Sequence, residues 1–172
     1  PMNVPLITPE LVCLDADLGS TKAEVITSVA GIIAAAGRAD ADGLAHDALD
    51  REAQSPTGMP GGFAIPHCRS AAVSQPSLGF ARLAPAVDCN GPDGPADLVF
   101  MIAAAEGAGA DHMKLLTKLA RALVKPEFVE QLRQATDART VVDLIESVVE
   151  PDAAAPSSAA VSPASTTPDP AV

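Results

Sequence analysis

Few side chains in this 172-residue chain can do nucleophilic, acid–base or metal chemistry: three histidines and three cysteines stand out. His67 directly follows Gly61-Gly62-Phe63-Ala64-Ile65-Pro66, a pattern that predicts an apolar strand carrying an imidazole to its C-terminal end. Strand ends of that kind hold ligands and reactive groups in α/β proteins. A neutral imidazole keeps a lone pair and can serve as nucleophile, base or ligand; it can equally just cap a buried strand. His112 opens a predicted helix beside Asp111, the expected N-cap, where the helix dipole favours an anion over an imidazolium. Read alone, His112 is a surface residue. His46, next to Asp47 and near Asp50, reads as part of a solvated helix face.

The histidines lie 21 and 45 residues apart, without the short paired spacing of zinc sites, so no metal or other cofactor is expected. Cys68 adjoins His67, but neighbours on a strand face opposite ways, which argues against a thiol–imidazole pair. A Cys/His hydrolase is therefore only a distant alternative. Cys13, Cys68 and Cys89 form no paired motif and read as reduced thiols of a cytoplasmic protein. Walker, Gly-x-Gly-x-x-Gly and Gly-x-Ser-x-Gly patterns do not occur.

The elements that must position these groups are well punctuated. A short strand is expected at Leu11 to Leu14. Thr21-Lys22-Ala23-Glu24 is a capping box, followed by Val25, Val29, Ile32 and Ile33 at helical spacing up to Gly37. A second, more polar helix is predicted from Gly43 to Gln54, ending before Pro56. The period then shortens: Phe63 to Ile65, Leu78 to Leu83 and Leu98 to Ala104 are apolar runs bounded by turn residues, and read as strands. Each carries one phenylalanine, expected to fill the core. Helices return from Asp111, with Leu116, Leu119, Ala120 and Leu123 facing inward, then at Pro126 to Gln134 and Asp137 to Val149. In the last, Val141, Leu144, Ile145 and Val148 are expected inside. This order predicts a single α/β domain, a mixed central sheet with helices on both faces. The folded part is expected over 5–150, after a four-residue extension. Residues 151–172 hold only Ala, Ser, Thr, Pro, Asp and Val and read as an interdomain tether or a disordered tail.

Composition removes whole classes of function. With four Phe, no Tyr or Trp and a net charge of −11, the chain lacks rings for base stacking and repels phosphate backbones. Nucleic acid is not an expected partner, and a stacked sugar is equally unfavoured. The longest apolar run is far short of the roughly 20 residues needed to span a bilayer.

Further identification comes from the segment Thr57-Gly58-Met59-Pro60-Gly61-Gly62-Phe63-Ala64-Ile65-Pro66-His67. It resembles the active-site segment of the fructose/mannitol-type enzyme IIA domains of the bacterial sugar phosphotransferase system, and is most like the fructose-specific ones. The resemblance continues through Arg51-Glu52, Val87-Asp88, Asp93-Gly94, the run from Leu98 into Glu106-Gly107, and His112 to Leu116, covering about residues 5–150. It implies a phosphoryl carrier in which His67 takes phosphate from phospho-HPr and passes it to a cysteine of a IIB domain, a partner that can share a longer chain with IIC. His112 matches the second histidine of the family site, and Arg51 the arginine near it. Both would stabilise charge on the phosphoryl group, with no contact to sugar and no cofactor. The implied location is cytoplasmic, at the inner face of the membrane through linked IIB and IIC domains.

Two residues depart from the family pattern. Pro60 and Cys68 stand where glycine or another small residue is usual, so Pro60 stiffens the approach loop and Cys68 is either an oxidisable thiol or a simple space-filler. The nitrogen-related regulatory IIA proteins share the same histidine and form the rival functional reading.

Overall fold

The computed structural model describes residues 4–149. The tether expected at 151–172 lies outside them. The order is β1 (Val12–Ala16), α1 (Lys22–Ala35), α2 (Ala41–Gln54), β2 (Gly58–Met59), β3 (Phe63–Ala64), β4 (His67–Ser70), β5 (Ser77–Val87), β6 (Ala96–Ala105), α3 (Gly109–Leu123), α4 (Pro126–Gln134) and α5 (Ala138–Val149).

The local signals act as expected at several boundaries. Thr21 and Glu24 close a reciprocal capping box on α1, satisfying two backbone donors that the helix itself cannot pair. Gly37 ends that helix with φ +80°, a conformation glycine adopts without steric penalty. Asp40 caps α2 by accepting from the Gly43 amide at 2.9 Å, so this helix starts two residues earlier than the apolar pattern suggested.

The six strands form one mixed sheet in the order β1-β5-β6-β3-β2, with β4 also on β6. β6 is antiparallel to β5 and parallel to both β3 and β4. Helices α1 and α2 pack together on one face, and α3, α4 and α5 pack together on the other. Phe100 sits between the other two strand rings, 5.2 Å from Phe80 and 6.3 Å from Phe63 between centroids, so the phenylalanines are core.

The strand leading to His67 differs from expectation. It is not one run ending at the histidine, but two short strands, β3 and β4, in the same register along β6. Pro66 interrupts it because it has no N–H to give the ladder. Its carbonyl still accepts from Ile102, at 3.0 Å, while the Ile65 amide turns to Thr57 O at 3.2 Å. His67 therefore opens the second half of a broken strand instead of closing the first.

The segment before it is tightly held. Arg133 of α4 bonds both oxygens of Asp97 and donates to Gly61 O at 2.7 Å. At Gly58 an added Cβ would fall 2.2 Å from Cys89 O and 2.5 Å from Gly91 N, so only glycine fits there. Asp15 and Arg82 pair in two bonds, and Arg82 Nη1 also donates to the carbonyls of Leu132, Arg133 and Ala135, closing the C-terminus of α4.

Three helical expectations are corrected. Ala120 is exposed, and Ala122 is buried in its place; the inward stripe of α3 is His112, Leu119, Ala122 and Leu123. The N-cap of α3 is Ala108, which puts Asp111 inside the first turn. On α5, Val142 and Val149 are buried with Val141 and Ile145, whereas Leu144 and Val148 are only partly covered.

Candidate functional site

His67, His112 and Arg51 come from three elements. β4 supplies the first, the opening turns of α3 the second and the last turn of α2 the third. The two imidazoles lie 5.3 Å apart between ring centroids, tilted by 49°.

His67 is half-buried, and its Nδ1 sits 2.6 Å from the Ile65 carbonyl oxygen. A carbonyl can only accept, so Nδ1 carries the hydrogen and donates. Nε2 is left with the lone pair. Burial pushes the His67 pKa below its ordinary value; the bond to Ile65 opposes that shift, the Arg51 charge adds to it and Glu52 opposes it weakly. The ring is therefore neutral at physiological pH, the form a nucleophile needs.

His112 is not the surface residue that its position alone suggested: only 8% of it is exposed. The first turns of α3 press it towards His67, and its buried Nδ1 has no hydrogen-bond partner among the described residues. Its pKa is pushed down to about 4, by burial first and then by His67, Arg69 and Arg51. As a neutral imidazole it offers an N–H without adding a charge of its own.

Arg51 donates one bond from Nη1 to Ser55 O at 3.0 Å, which closes the last turn of α2 and leaves its other guanidinium donors unused among the described residues. The adjacent Glu52 is buried, accepting from the Thr57 amide and hydroxyl, both at 2.7 Å, and from Lys22 Nζ at 3.2 Å. This carboxylate fastens the end of α2 to the loop that leads into β2 and β3.

Cys68 faces away from His67, is buried, and its thiol pKa is raised to about 11 by burial and by Asp47. A thiol that weakly ionised is a poor nucleophile, so the hydrolase alternative lacks its reactive group. The space-filling reading of Cys68 fits the site better than the oxidisable one. His46 is well exposed beside Asp47, as its polar surroundings indicated. No three His, Cys, Asp or Glu side chains converge as metal ligands among the described residues.

The depressed histidines have a consequence for stability. Between pH 6.5 and about 4 an unfolded chain holds a proton on the residue-112 imidazole that the native chain refuses. Protons bound in excess by the unfolded state make stability rise with pH, so stability is intact above pH 6.5 and lost as pH falls towards 4. The loss for His112 alone approaches about 3 kcal/mol. His67 acts in the same direction. Urea unfolding between pH 7 and 4.5 should show this slope, and His112→Gln should flatten it. An equal slope in both proteins would place the acid sensitivity elsewhere.

A pair of neutral imidazoles beside a guanidinium can accept and neutralise a phosphoryl group, and the relatives of this chain agree with that chemistry. The family model described as "Phosphoenolpyruvate-dependent sugar phosphotransferase system, EIIA 2" matches residues 5–148. The "PTS system fructose-specific EIIA component" of Haloferax volcanii is 38% identical over 151 residues, covering 86% of this chain and 97% of that protein. The "PTS system fructose-specific EIIABC component" of Bacillus subtilis is 39% identical over 126 residues, or 72% of this chain but only 20% of that much longer protein. Among solved structures, the nitrogen regulatory protein IIA-Ntr of Neisseria meningitidis superposes with a TM-score of 0.75 at 26% identity, covering 81% of this chain and 96% of the other. The chain belongs to the EIIA 2 family of the phosphoenolpyruvate-dependent sugar phosphotransferase system, whose domains are phosphotransferase components working through a phosphohistidine.

Proposed function

We propose that this protein carries a phosphoryl group on His67 Nε2, taking it from phospho-HPr and giving it to a IIB-domain cysteine for uptake of fructose or a related sugar. The Nδ1–H bond to Ile65 carries this reading, because it aims the lone pair of Nε2 while fixing the tautomer. Nε2 attacks the phosphorus in line: the new N–P bond forms as the donor's N–P bond breaks, and the electron pair leaves with the donor imidazole. No proton has to move. The hydrogen on Nδ1 stays in place, and the Ile65 carbonyl supports the positive charge that the phosphorylated ring acquires. In the second transfer a cysteine thiolate attacks the same phosphorus and the pair returns to Nε2. Arg51 and His112 meet the charge on the transferring group with N–H donors already in position, the commonest source of acceleration in such reactions.

One further feature supports protein partners rather than a sugar ligand. Met113, next to His112, is 60% exposed, an apolar contact point at the rim of the site. Among the described residues no helix is long and apolar enough to cross a membrane; in this reading the carrier meets its membrane components through IIB. That IIB domain can be separate or, as the name of the Bacillus subtilis relative indicates for that protein, part of one polypeptide.

Transfer from phosphoenolpyruvate through enzyme I and HPr, then on to a fructose-type IIB domain, tests the reading. The expected result is an acid-labile label on the protein that disappears as IIB gains it. The likeness to IIA-Ntr favours the regulatory role as a second reading. It would be supported by a label that no IIB domain removes and by binding to another protein that changes with phosphorylation.

A further inference from the structure

Five of the seven arginines, Arg38, Arg51, Arg82, Arg133 and Arg139, donate to named protein acceptors. Arg69 does not: its guanidinium makes no hydrogen bond or ion pair among the described residues. Its place in the fold makes that unusual. Residues two apart on a strand share a face, so Arg69 projects to the side on which His67 stands. The pairing of His67 with Ile102 and Arg69 with Ala104 along β6 holds that register.

The far end of the side chain is also placed. An added Cβ at Gly109 would fall 2.8 Å from Arg69 Nη1, so the guanidinium lies against the first residue of α3. His112 is one turn further along the same helix. Arg69 and Arg51 line one polar depression of about 490 Å³, and both push the His112 pKa down, as two cations converging on one imidazole must. Asp47, Asp50 and Glu106 line the same depression, yet none lies within ion-pair distance of Arg69.

In the free protein this arrangement is electrostatically uphill. A cation rests at the positive end of a helix, near a second cation, without a counter-charge in contact. A phosphoryl dianion on His67 reverses the sign of each of those interactions. We propose that Arg69 is a second phosphoryl-binding guanidinium of this site, reaching the phosphoryl oxygens from the α3 side while Arg51 reaches them from the α2 side, with Gly109 leaving the room it needs. The proposal rests on His67 being the acceptor. It gives the three phosphoryl oxygens donors from both arginines and from His112, the forked geometry that guanidinium groups match well.

The test uses the intact protein, phosphorylated through enzyme I and HPr, and two readouts. With no partner present, a phosphorus NMR titration of the phosphorylated protein reads the group's second ionisation. A contacting guanidinium favours the dianion, so Arg69→Ala should raise that pKa by about half a unit or more. At saturating phospho-HPr, Arg69→Ala should slow acceptance roughly 10- to 100-fold while half-saturation changes little. Arg69→Lys should recover part of the rate. Gly109→Ala, which displaces the guanidinium but keeps its charge, should give an intermediate loss. If the phosphorus titration is unchanged and the effect lies wholly in half-saturation, Arg69 contacts the partner protein and the proposal is overturned. Failure of the underlying reading would look different: His67→Ala would still be labelled, whatever Arg69 does.

Discussion

Replacing His67 with alanine is expected to leave a folded protein that accepts no phosphoryl group from phospho-HPr. Each other candidate acceptor nearby is closed off in its own way. Cys68 is buried on the opposite side of the strand, with its thiol pKa raised to about 11. His112 has a neutral ring but is 8% exposed, so a donor protein's phosphohistidine cannot approach it in line. His46 is accessible, but its Nδ1 lies against Asp47 on an open surface, away from the His67–His112 pair. Labelling should therefore fall below detection. The half-buried His67 side chain fills no core volume, so stability should stay within about 1 kcal/mol of the parent. His112→Ala is the necessary contrast: it keeps the acceptor at residue 67 and removes a stabilising N–H donor, so transfer should slow roughly 100-fold without stopping. Persistent labelling of His67→Ala, mapped to another residue, would remove His67 from the acceptor role.

What was legible in the sequence divides by physical range. The capping box at Thr21, the glycine stop at Gly37 and the helix opening at Pro126 are decided within one turn of chain, and the structure has them where the residues indicated. The three phenylalanines were legible because each sat in an apolar run, and the core is where such runs meet. β2 and β4 were not legible. Gly58–Met59 is too short to show a period, and His67–Ser70 contains His and Arg; both are strands only because of what they pair with.

The site divides in the same way. His67 was visible through its local setting, and Arg51 and His112 through resemblance to a family. The burial of His112 was not visible, because whether a first turn faces water or a neighbouring strand depends on where the helix docks. Arg69 was missed although the signal existed: alternation along a strand places residue 69 on the side of residue 67. That inference needed β4 to be a strand, and Pro66 hides it.

A large effect on the fold itself should come from Glu52→Ala. The Glu52 carboxylate is 3% exposed and holds the Thr57 amide, the Thr57 hydroxyl and Lys22, which in turn donates to Asn90 Oδ1 at 2.6 Å. Removing it strands a buried amide and hydroxyl and takes one acceptor from a partly buried ammonium. Breaking a buried pair from one side costs about 3–5 kcal/mol, and because Lys22 keeps Asn90 and some water the lower end, about 3 kcal/mol, applies. For a domain of this size that is a fall in Tm of about 6–12 °C. Glu52→Gln keeps the shape and an acceptor for the Thr57 amide, so it should lose far less. The functional readout is separate. Glu52 adjoins Arg51 in sequence and ties the end of α2 to the loop before β3, so Glu52→Ala should also loosen the guanidinium and slow transfer well below the melting temperature. Its charge helps to hold up the His67 pKa, so the His67 titration in the alanine variant should move lower still. A variant that melts within 2 °C of the parent and titrates His67 unchanged would mean that the Glu52 network neither holds the loop nor acts on the acceptor.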